Sequence, residues 1–291
     1  MIDIDPVKID PATPLEWLPV SDERGRSRPS RLGAAGRAYA GRTAHVWGCG
    51  GLGSWIAEYL VRAGAKKVIL CDPGTISGGL LVRQNFVEAD VGNTKVEALA
   101  QRLRAISDTV EVVATRALVP GEEDLAEADL IIDATVSIAI SRLLDSFAAA
   151  SDQRPVMAQV AVDARTGTLG IMTVSMPPLR AGPLTIDRKA GAQILQDGAH
   201  EAFHCLWKTS ASGDEIIPTR GCSTPTFHGS AADLAGVAGS LTSILGAHLN
   251  AGTAVSGTHL ISLPHGEAGP LRAFVPAQAP ALGRTPADDA D

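Results

Sequence analysis

The sequence predicts an α/β fold, in which a mostly parallel sheet carries helices on both faces and gains antiparallel strands toward the C-terminus. Short apolar runs alternate with segments of helical spacing from residue 43 to about residue 150, which is typical of parallel sheets with right-handed crossovers. A glycine-rich loop joins the first apolar run to the first helical segment. Two later apolar runs are joined by a short turn, which indicates an antiparallel pair.

The first strand–helix–strand unit occupies residues 43–71. Residues 43–47 are the predicted strand, "GCGGLG" is the loop, and residues 54–64 have helical spacing, with Gly64 as the helix stop. Residues 67–71 form the next apolar strand. The unit therefore resembles the βαβ unit of nucleotide-binding proteins.

The following elements continue the alternation. "NTKVEALAQRLRAI" and "SIAISRLLDSFAAA" have the spacing of amphipathic helices, whereas "TVEVVAT" and "ADLIIDA" are apolar runs of strand length. "PVMAQVAVDARTGTLGIMTVSM" predicts two strands joined at "DARTG". Residues 176–228 are interrupted by Pro, Gly and polar residues, and we interpret them as a long excursion from the sheet with one helix at roughly 188–207.

The C-terminal part returns to regular structure. Ser230 and Asp233 form a predicted capping box for a helix rich in small residues. Two short strands near 258–263 and 270–275 close the fold. We therefore expect three parts in the chain, which are an N-terminal arm over 1–42, a nucleotide-binding domain over 43–278, and a disordered tail over 279–291.

Composition narrows the class of protein. The chain has 291 residues, 45% of them apolar, and a formal net charge of −7, which argues against a nucleic-acid groove as the main activity. No apolar run approaches the length of a membrane span, and the N-terminus lacks the apolar segment of a signal peptide. None of the four cysteines forms a C-x-x-C pair, so we expect a cytoplasmic protein with neither zinc nor disulfides.

The glycine loop and a following acid predict an adenine-nucleotide site. Gly48, Gly50 and Gly53 form G-x-G-x-x-G, and glycines let the backbone approach a phosphate at a helix N-terminus. Asp72 ends the next strand, where a carboxylate accepts hydrogen bonds from ribose hydroxyls. The alternative is tight packing of strand against helix without a ligand.

Arg83 and Lys95 favour ATP over a nicotinamide cofactor. Both flank the carboxyl edge of the sheet in any parallel arrangement of these elements. Two converging cations suit the β- and γ-phosphates of ATP, because they neutralise charge that develops on a pyrophosphate leaving group. A surface salt-bridged pair is the alternative interpretation.

Five motifs in order carry a family resemblance: "GCGGLGSWIAEYLVRAGAKKVILCD", "VRQ", "ADVGNTKVEALAQRL" and "LIIDAT" in the stretch from about 43 to 175, with "GCSTPTFHGSAADLA" later. Together they resemble the ThiF/MoeB type of the ubiquitin-activating superfamily, which has a Rossmann-like fold. The likeness is strongest to the bacterial branch that is encoded with ubiquitin-carrier-like and JAB-peptidase-like proteins.

The resemblance implies ATP-dependent adenylation of the C-terminal carboxylate of a ubiquitin-like protein, with Mg²⁺ as cofactor. It also implies a homodimer, and a ubiquitin-carrier-like protein as a further partner. By resemblance, Asp72 would hold the ribose, Arg83 and Lys95 the phosphates, and Gln84 would lie in the same pocket. The glycines that would cradle ATP are Gly48, Gly50, Gly51 and Gly53.

The chain departs from the family pattern at two places. Leu80 stands where most relatives have Asn, and Val136 stands where most have a magnesium-binding Asp. A valine cannot ligate a cation that requires oxygen donors. Either Asp133 supplies the metal-binding carboxylate, or the phosphates hold the metal, or catalysis has been lost.

The cysteines are predicted to have different roles. Cys222 lies late in the excursion, where similar proteins place a thioester-forming cysteine, and Arg220 beside it would favour the thiolate. His228 is a weaker candidate for assisting proton transfer. We expect packing roles for the remaining cysteines, Cys49, Cys71 and Cys205.

Three other functions remain open at this stage. ATP-dependent modification of a peptide would need no catalytic cysteine. A non-catalytic scaffold that binds a ubiquitin-like partner would account for Val136. A nicotinamide oxidoreductase is disfavoured by Arg83 and Lys95, and because the sequence shows no evident hydride-transfer residues.

Overall fold

The computed structural model describes residues 12, 14, 31–208, 229–251, 255–264 and 269–277, and these form an eight-stranded sheet with helices on both faces. The strands are β1 (Thr43–Trp47), β2 (Lys67–Cys71), β3 (Glu111–Thr115), β4 (Leu130–Asp133), β5 (Val156–Val162), β6 (Leu169–Ser175), β7 (Gly257–Ser262) and β8 (Leu271–Pro276). The α-helices are α1 (Ala34–Arg37), α2 (Gly53–Arg62), α3 (Lys95–Ile106), α4 (Glu122–Ala126), α5 (Ile138–Ala150), α6 (Pro183–Ile194) and α7 (Ala231–Asn250).

The strand order is β3-β2-β1-β4-β5-β6-β7-β8. Strands β1 to β5 are all parallel to one another, whereas β6, β7 and β8 each pair antiparallel with the strand before it in this order. The predicted fold class is therefore confirmed. After β1 the chain adds β2 and β3 on one side of the sheet, and after β4 it adds β5 on the other side. The carboxyl ends of β1 and β4 therefore form a topological switch point.

The sheet is buried on both faces in its centre. Helices α2, α3 and α7 cover one face and form the larger hydrophobic core, while α4, α5 and α6 cover the other face. Every residue of β1 and β4 is buried. This explains why the central strands are continuous apolar runs rather than alternating patterns.

Part of the predicted N-terminal arm packs into the core. Helix α1 lies against α7, and the Tyr39 hydroxyl donates to the carbonyl oxygen of Thr242 at 2.5 Å. A Cβ at Gly246 would lie 2.1 Å from the carbonyl oxygen of Ala35, so only glycine permits this approach. The described end of the arm, residues 31–42, is thus joined to the domain.

The predicted excursion over 176–228 needs correction in its first half. A helix was predicted at roughly 188–207, but α6 begins at Pro183 and ends at Ile194, and a 3₁₀ helix follows over Gly198–Leu206. Both pack on the sheet around Ile171 and Leu260. Asp145 of α5 fixes the start of α6, since its carboxylate accepts from the backbone amide of Leu184 at 3.0 Å.

Residues 209–228 and the predicted disordered tail from 279 onward lie outside the described residues. The capping box of α7 is confirmed, because the Ser230 hydroxyl accepts from the Asp233 amide and the Asp233 carboxylate accepts from the Ser230 amide. No helix in the described part of the chain combines the length and apolar character that a membrane span requires.

Candidate active site

The predicted site residues converge at the switch point. Trp47 of β1 is in register with Cys71 of β2 and with Asp133 of β4. Gly48 and Asp72, which immediately follow β1 and β2, therefore lie at the same edge of the sheet as Asp133. This edge is the carboxyl end of the parallel strands, where doubly wound folds bind their ligands.

Two glycines of the loop cannot be replaced without steric conflict. Gly48 has φ 84°, and a Cβ there would lie 2.9 Å from the carbonyl group of Ala134. A Cβ at Gly53 would lie 1.8 Å from the carbonyl oxygen of Gly48. The loop is thus folded tightly back on itself and directly enters α2, as a phosphate-binding loop does.

Asp72 and Lys95 form a buried charged pair beneath this loop. The carboxylate of Asp72 accepts from the Cys49 amide at 2.7 Å and from the Gly74 amide at 2.6 Å. The Nζ of Lys95 lies 3.9 Å from Oδ2 of Asp72, and Lys95 is only 8% exposed. Lys95 is the first residue of α3, and the Thr94 hydroxyl caps that helix by accepting from the Glu97 amide. The lysine is therefore fixed at the site and is not a mobile surface cation.

Gln84 is the clearest indication of a ligand. Its side chain is buried, at 2% exposure, and neither its amide nitrogen nor its amide oxygen has a hydrogen-bond partner within the described residues. Buried polar atoms without partners are costly and uncommon in folded proteins. Gln84 lies in the segment between β2 and α3, beside Arg83, which is partly buried. A polar ligand that contacts Gln84 would satisfy the amide.

Neighbouring Asn85 anchors this segment through a network that the sequence analysis missed. The Asn85 amide donates to the Glu58 carboxylate at 2.6 Å, and Arg102 of α3 donates to the same carboxylate at 2.7 Å. Burial raises the pKa of Glu58, but hydrogen bonds from Arg102, Asn85 and Arg62 outweigh it and lower the pKa overall. The spacing of four residues between Glu58 and Arg62 could have predicted their ion pair. No short-range pattern could have predicted the contact with Asn85, which is 27 residues from Glu58.

Asp133 is enclosed by hydrogen bonds. Its Oδ1 accepts from the amide and the hydroxyl of Thr135 at 2.9 and 2.6 Å, and its Oδ2 accepts from Gln159 at 2.8 Å. The side chain is fully buried, and burial raises its pKa. No group of three His, Cys, Asp or Glu side chains within the described residues is arranged to hold a metal ion. Mg²⁺ in nucleotide sites is commonly held by one or two carboxylates together with phosphates and waters, so the role of Asp133 as a metal ligand stays a prediction.

The backbone is strained at Val136, the position where the family resemblance leads us to expect a magnesium-binding Asp. Val136 has φ 55°, a left-handed conformation that is rare for a β-branched residue. Such strain persists where the surrounding structure imposes it, and it concentrates at functional sites. Val136 is 38% exposed, so its side chain faces accessible space beside the switch point.

The cysteines fall into three groups. Cys49 and Cys71 are buried, as expected, and burial raises the pKa of the Cys71 thiol to about 12 and also raises that of Cys49. The prediction that Cys205 is a packing residue is wrong, because Cys205 is exposed on the 3₁₀ helix while its neighbour His204 points inward to the carbonyl oxygen of Ile194. Cys222, with Arg220 and His228, lies outside the described residues.

A glycine-rich loop at the switch point of a doubly wound sheet defines a nucleotide-binding α/β protein of the Rossmann type. The sequence model of the ThiF family matches residues 40–258, and the chain belongs to the ThiF family.

Curated relatives support this assignment. The chain is 27% identical over 233 residues to the sulfur carrier protein ThiS adenylyltransferase of Escherichia coli, which covers 79% of this chain and 76% of the relative. It is 35% identical over 105 residues to the molybdopterin-synthase adenylyltransferase of Escherichia coli, covering 35% of this chain but only 42% of the relative. It is also 32% identical over 103 residues to the ATP-dependent ubiquitin transferase-like protein Cap2 of Pseudomonas aeruginosa, covering 34% of this chain and 19% of that protein.

Solved structures share the fold at low sequence identity. The crystal structure of Escherichia coli MccB with selenomethionine MccA matches with a TM-score of 0.54 at 15% identity, over 86% of this chain and 67% of that chain. The structure of selenomethionine PaaA matches with a TM-score of 0.54 at 18% identity, over 83% of this chain and 75% of that chain. These likenesses concern the fold alone.

Proposed function

We propose that this protein uses ATP to adenylate the C-terminal carboxylate of a ubiquitin-like protein. The observation that carries the proposal is the unsatisfied, buried amide of Gln84, which lies in the segment between Asp72 and the buried Lys95. Membership in the ThiF family and relatives named as adenylyltransferases support ATP as the nucleotide.

In the proposed reaction the loop from Gly48 to Gly53 and the N-terminus of α2 receive the phosphates. An oxygen of the substrate carboxylate attacks the α-phosphorus, the bond from that phosphorus to the β-bridging oxygen breaks, and pyrophosphate leaves. Lys95 and Arg83 stabilise the negative charge that develops on the leaving pyrophosphate. Asp72 holds the ribose, while its hydrogen bonds to the Cys49 and Gly74 amides keep the loop in position. Gln84 donates to, or accepts from, the bound nucleotide.

The proposal includes a second step on Cys222. The thiolate of Cys222 would attack the acyl carbon of the adenylate and form a carbon–sulfur bond. The bond from this carbon to the phosphate oxygen would break, and AMP would leave. The test is a gel assay for a thiol-sensitive adduct between the protein and its substrate, which Cys222→Ser should abolish while pyrophosphate release continues. A ubiquitin-carrier-like acceptor and a homodimer belong to the same proposal.

A second candidate is adenylation of a peptide without a thioester. The shared fold with Escherichia coli MccB favours it. MccB has been solved with MccA and with ATP, and both structures match 86% of this chain. A Cys222→Ser variant with unchanged product formation would select this candidate.

The first test is a titration of the protein with Mg-ATP and with NAD, repeated on Lys95→Ala. We expect ATP binding in the wild type and a loss of about ten- to a hundredfold in the variant, because a charge-assisted contact contributes about 1.5–3 kcal/mol. Lys66→Ala is the matched control, since Lys66 is exposed in the turn before β2, at the opposite edge of the sheet. Thermal unfolding of both variants separates lost binding from lost stability.

The alternatives predict different results in this titration. Binding of NAD alone would overturn the adenylation proposal. ATP binding in the titration, together with partner binding but no pyrophosphate release in a separate assay, would identify the scaffold function instead.

A further inference from the structure

A trough runs beneath the edge of the sheet that lies opposite the proposed nucleotide site. Two cavities of about 370 and 850 Å³ form it, and Pro177 lines both of them. The smaller cavity includes Ala277, which follows β8, and Val255, which precedes β7. The larger cavity includes Pro155, which precedes β5, and Phe147 of α5. This edge holds the amino ends of the parallel strands β4 and β5, whereas the nucleotide site lies at their carboxyl ends.

The walls of the trough are mainly apolar. Phe147 is 38% exposed, and Leu125 and Ala128 on the opposite wall of the larger cavity are only partly buried. In the smaller cavity, Met176 lies at the margin of the larger hydrophobic core. A contiguous apolar surface of this kind is typical of a place where another segment of chain packs.

Arg154 fixes the boundary between the two cavities. Its Nη2 donates to the Ser175 hydroxyl at 2.7 Å and to the carbonyl oxygen of Leu179 at 2.6 Å. Its Nη1 donates to the carbonyl oxygens of Ser175 and Pro155 at 3.2 and 3.1 Å. These bonds join the start of β5 to the segment after β6, so the trough is preformed and its filling costs less entropy. All four acceptors are neutral, and the guanidinium therefore keeps its positive charge at the floor.

The chain enters the trough at the end of β8. The amide of Ala277 donates to the carbonyl oxygen of Ser256 at 2.8 Å, one step beyond the pairing of Gly257 with Pro276. Ala277 also lines the smaller cavity. The residues that follow, 278–291, lie outside the described residues. Their path therefore begins inside the trough and not at a distant surface.

The register of the sheet sets the distance that these residues must cover. Pro276 is aligned with one residue in each of the next three strands, which are Gly257, Val174 and Ala158. Neighbouring strands lie about 4.7–4.9 Å apart, so Pro276 is about 14–15 Å from Ala158 of β5. Leu282, six residues after Pro276, reaches at most about 20–22 Å. An extended tail therefore brings Leu282 under β5, where the larger cavity opens.

The composition of the tail suits this path. Leu282 is the only large apolar side chain in residues 278–291. Pro280, two residues earlier, favours extended backbone before it and has no N–H group that needs a partner. The tail also carries three Asp and one Arg, and its net negative charge complements the guanidinium of Arg154.

We propose that the trough is a docking surface for the chain's own segment 278–284, with the side chain of Leu282 in the larger cavity beside Phe147 and Pro155. The occupant is the tail that composition alone predicts to be disordered. Docking holds this tail at the edge of the sheet opposite the nucleotide site. The inference does not depend on the proposed adenylation.

Limited proteolysis of the full chain tests the docking. Trypsin cleaves after Arg284, two residues beyond Leu282, and mass spectrometry measures the release of peptide 285–291. A protease must hold the residues around the cut bond in its own site, so docking of Leu282 slows this cleavage. We expect release from Leu282→Ser to be faster by about tenfold or more, because burial of a leucine side chain shifts such an equilibrium by about that factor.

Two controls isolate the effect of docking. Ala290→Ser changes the tail outside the docked segment and should leave the rate of release unchanged. Synthetic peptides of residues 278–291, with Leu or Ser at position 282, give the intrinsic cleavage rates by which the protein rates are divided.

A matched pair of variants tests the larger cavity itself. Ala150→Trp, at the exposed end of α5, fills this cavity and should accelerate release by about the same factor as Leu282→Ser. Ala149→Trp is the control, because Ala149 is exposed beside it but does not line the cavity. Equal midpoints of thermal unfolding show that both variants are folded.

Each result either supports the docking or overturns it. Equal corrected rates for the wild type and Leu282→Ser overturn it. Protection that Leu282→Ser removes but Ala150→Trp retains places the leucine elsewhere and overturns the assignment to the trough. Protection that is lost on dilution of the protein indicates the tail of a second copy and overturns docking within one chain. Acceleration by Leu282→Ser and Ala150→Trp, with both controls unchanged, supports the proposal.

Discussion

Val136 has a backbone conformation that is unusual for its residue type. Its φ of 55° is the only positive φ of a non-glycine residue in the described chain. A β-branched side chain is among the least suited to this conformation, whereas Asn adopts it readily. The strain at Val136 therefore costs stability beside the proposed nucleotide site, which agrees with a functional constraint on the backbone there.

Replacing Val136 should therefore stabilise the protein. We expect Val136→Asn to raise the free energy of unfolding by about 1 kcal/mol, because it relieves left-handed strain. Urea unfolding at constant pH measures the change. Val91→Asn is the control, since Val91 is exposed with φ −60° and should change the stability by less than about 0.5 kcal/mol. A destabilised Val136→Asn protein would contradict the argument from strain.

At the scale of elements, Glu58 joins three parts of the fold. It accepts hydrogen bonds from Arg62 on its own helix, from Arg102 on α3 and from Asn85 in the segment that contains Gln84. The carboxylate therefore holds α2 and α3 together and fixes the segment that carries Gln84, which lies at the proposed nucleotide site. The Glu58 side chain is buried, whereas the side chains of Arg62 and Arg102 are 57% and 38% exposed. Replacing the carboxylate is costly because three hydrogen bonds lose a charged acceptor, while the two arginines stay in contact with water.

We predict that Glu58→Gln lowers the free energy of unfolding by about 2–3 kcal/mol at pH 7. The pKa of Glu58 is lowered in the folded protein, so its stabilisation is complete above the unfolded pKa of about 4.3 and is lost as pH falls through the folded pKa. Urea unfolding of both proteins at pH 7 and at lower pH should show the difference shrinking only below about pH 4.3. A difference that is independent of pH would mean that the charge of Glu58 does not contribute to the free energy of unfolding.

The sequence predicted elements that are specified locally and failed where distant contacts decide. The strands, the turn at "DARTG" and the capping box of Ser230 are encoded within a few residues. The start of α6 depends on Asp145, which is about 40 residues away in sequence. The partnership of Gln159 with Asp133 depends on the register of β4 and β5, and the exposure of Cys205 depends on how the 3₁₀ helix docks.

The whole molecule is organised around the change from parallel to antiparallel pairing in one sheet. The parallel strands end at the proposed nucleotide site, and the first antiparallel strand, β6, forms one wall of a cavity of about 120 Å³ between the sheet and helices α5 and α6.

Two buried histidines in different parts of this sheet predict how the whole protein responds to acid. Burial lowers the pKa of His45 in β1 to about 4, although Asp124 partly opposes this, and burial with His248 and Arg272 lowers the pKa of His259 in β7 to about 3. An unfolded chain protonates histidine near pH 6.5. Between pH 6.5 and 4 the unfolded state therefore binds more protons, and stability falls as pH falls.

This loss should be about 1.4 kcal/mol per pH unit for each histidine. We predict that His45→Leu, which removes one of the two groups, makes the free energy of unfolding fall less steeply by that amount. Urea unfolding at several pH values from 6.5 to 4.5 measures both slopes. The window lies above the region in which Glu58 titrates, so the two effects are separable. Equal slopes in the two proteins would mean that the pKa of His45 is not lowered in the folded state, and hence that water reaches this buried position of β1.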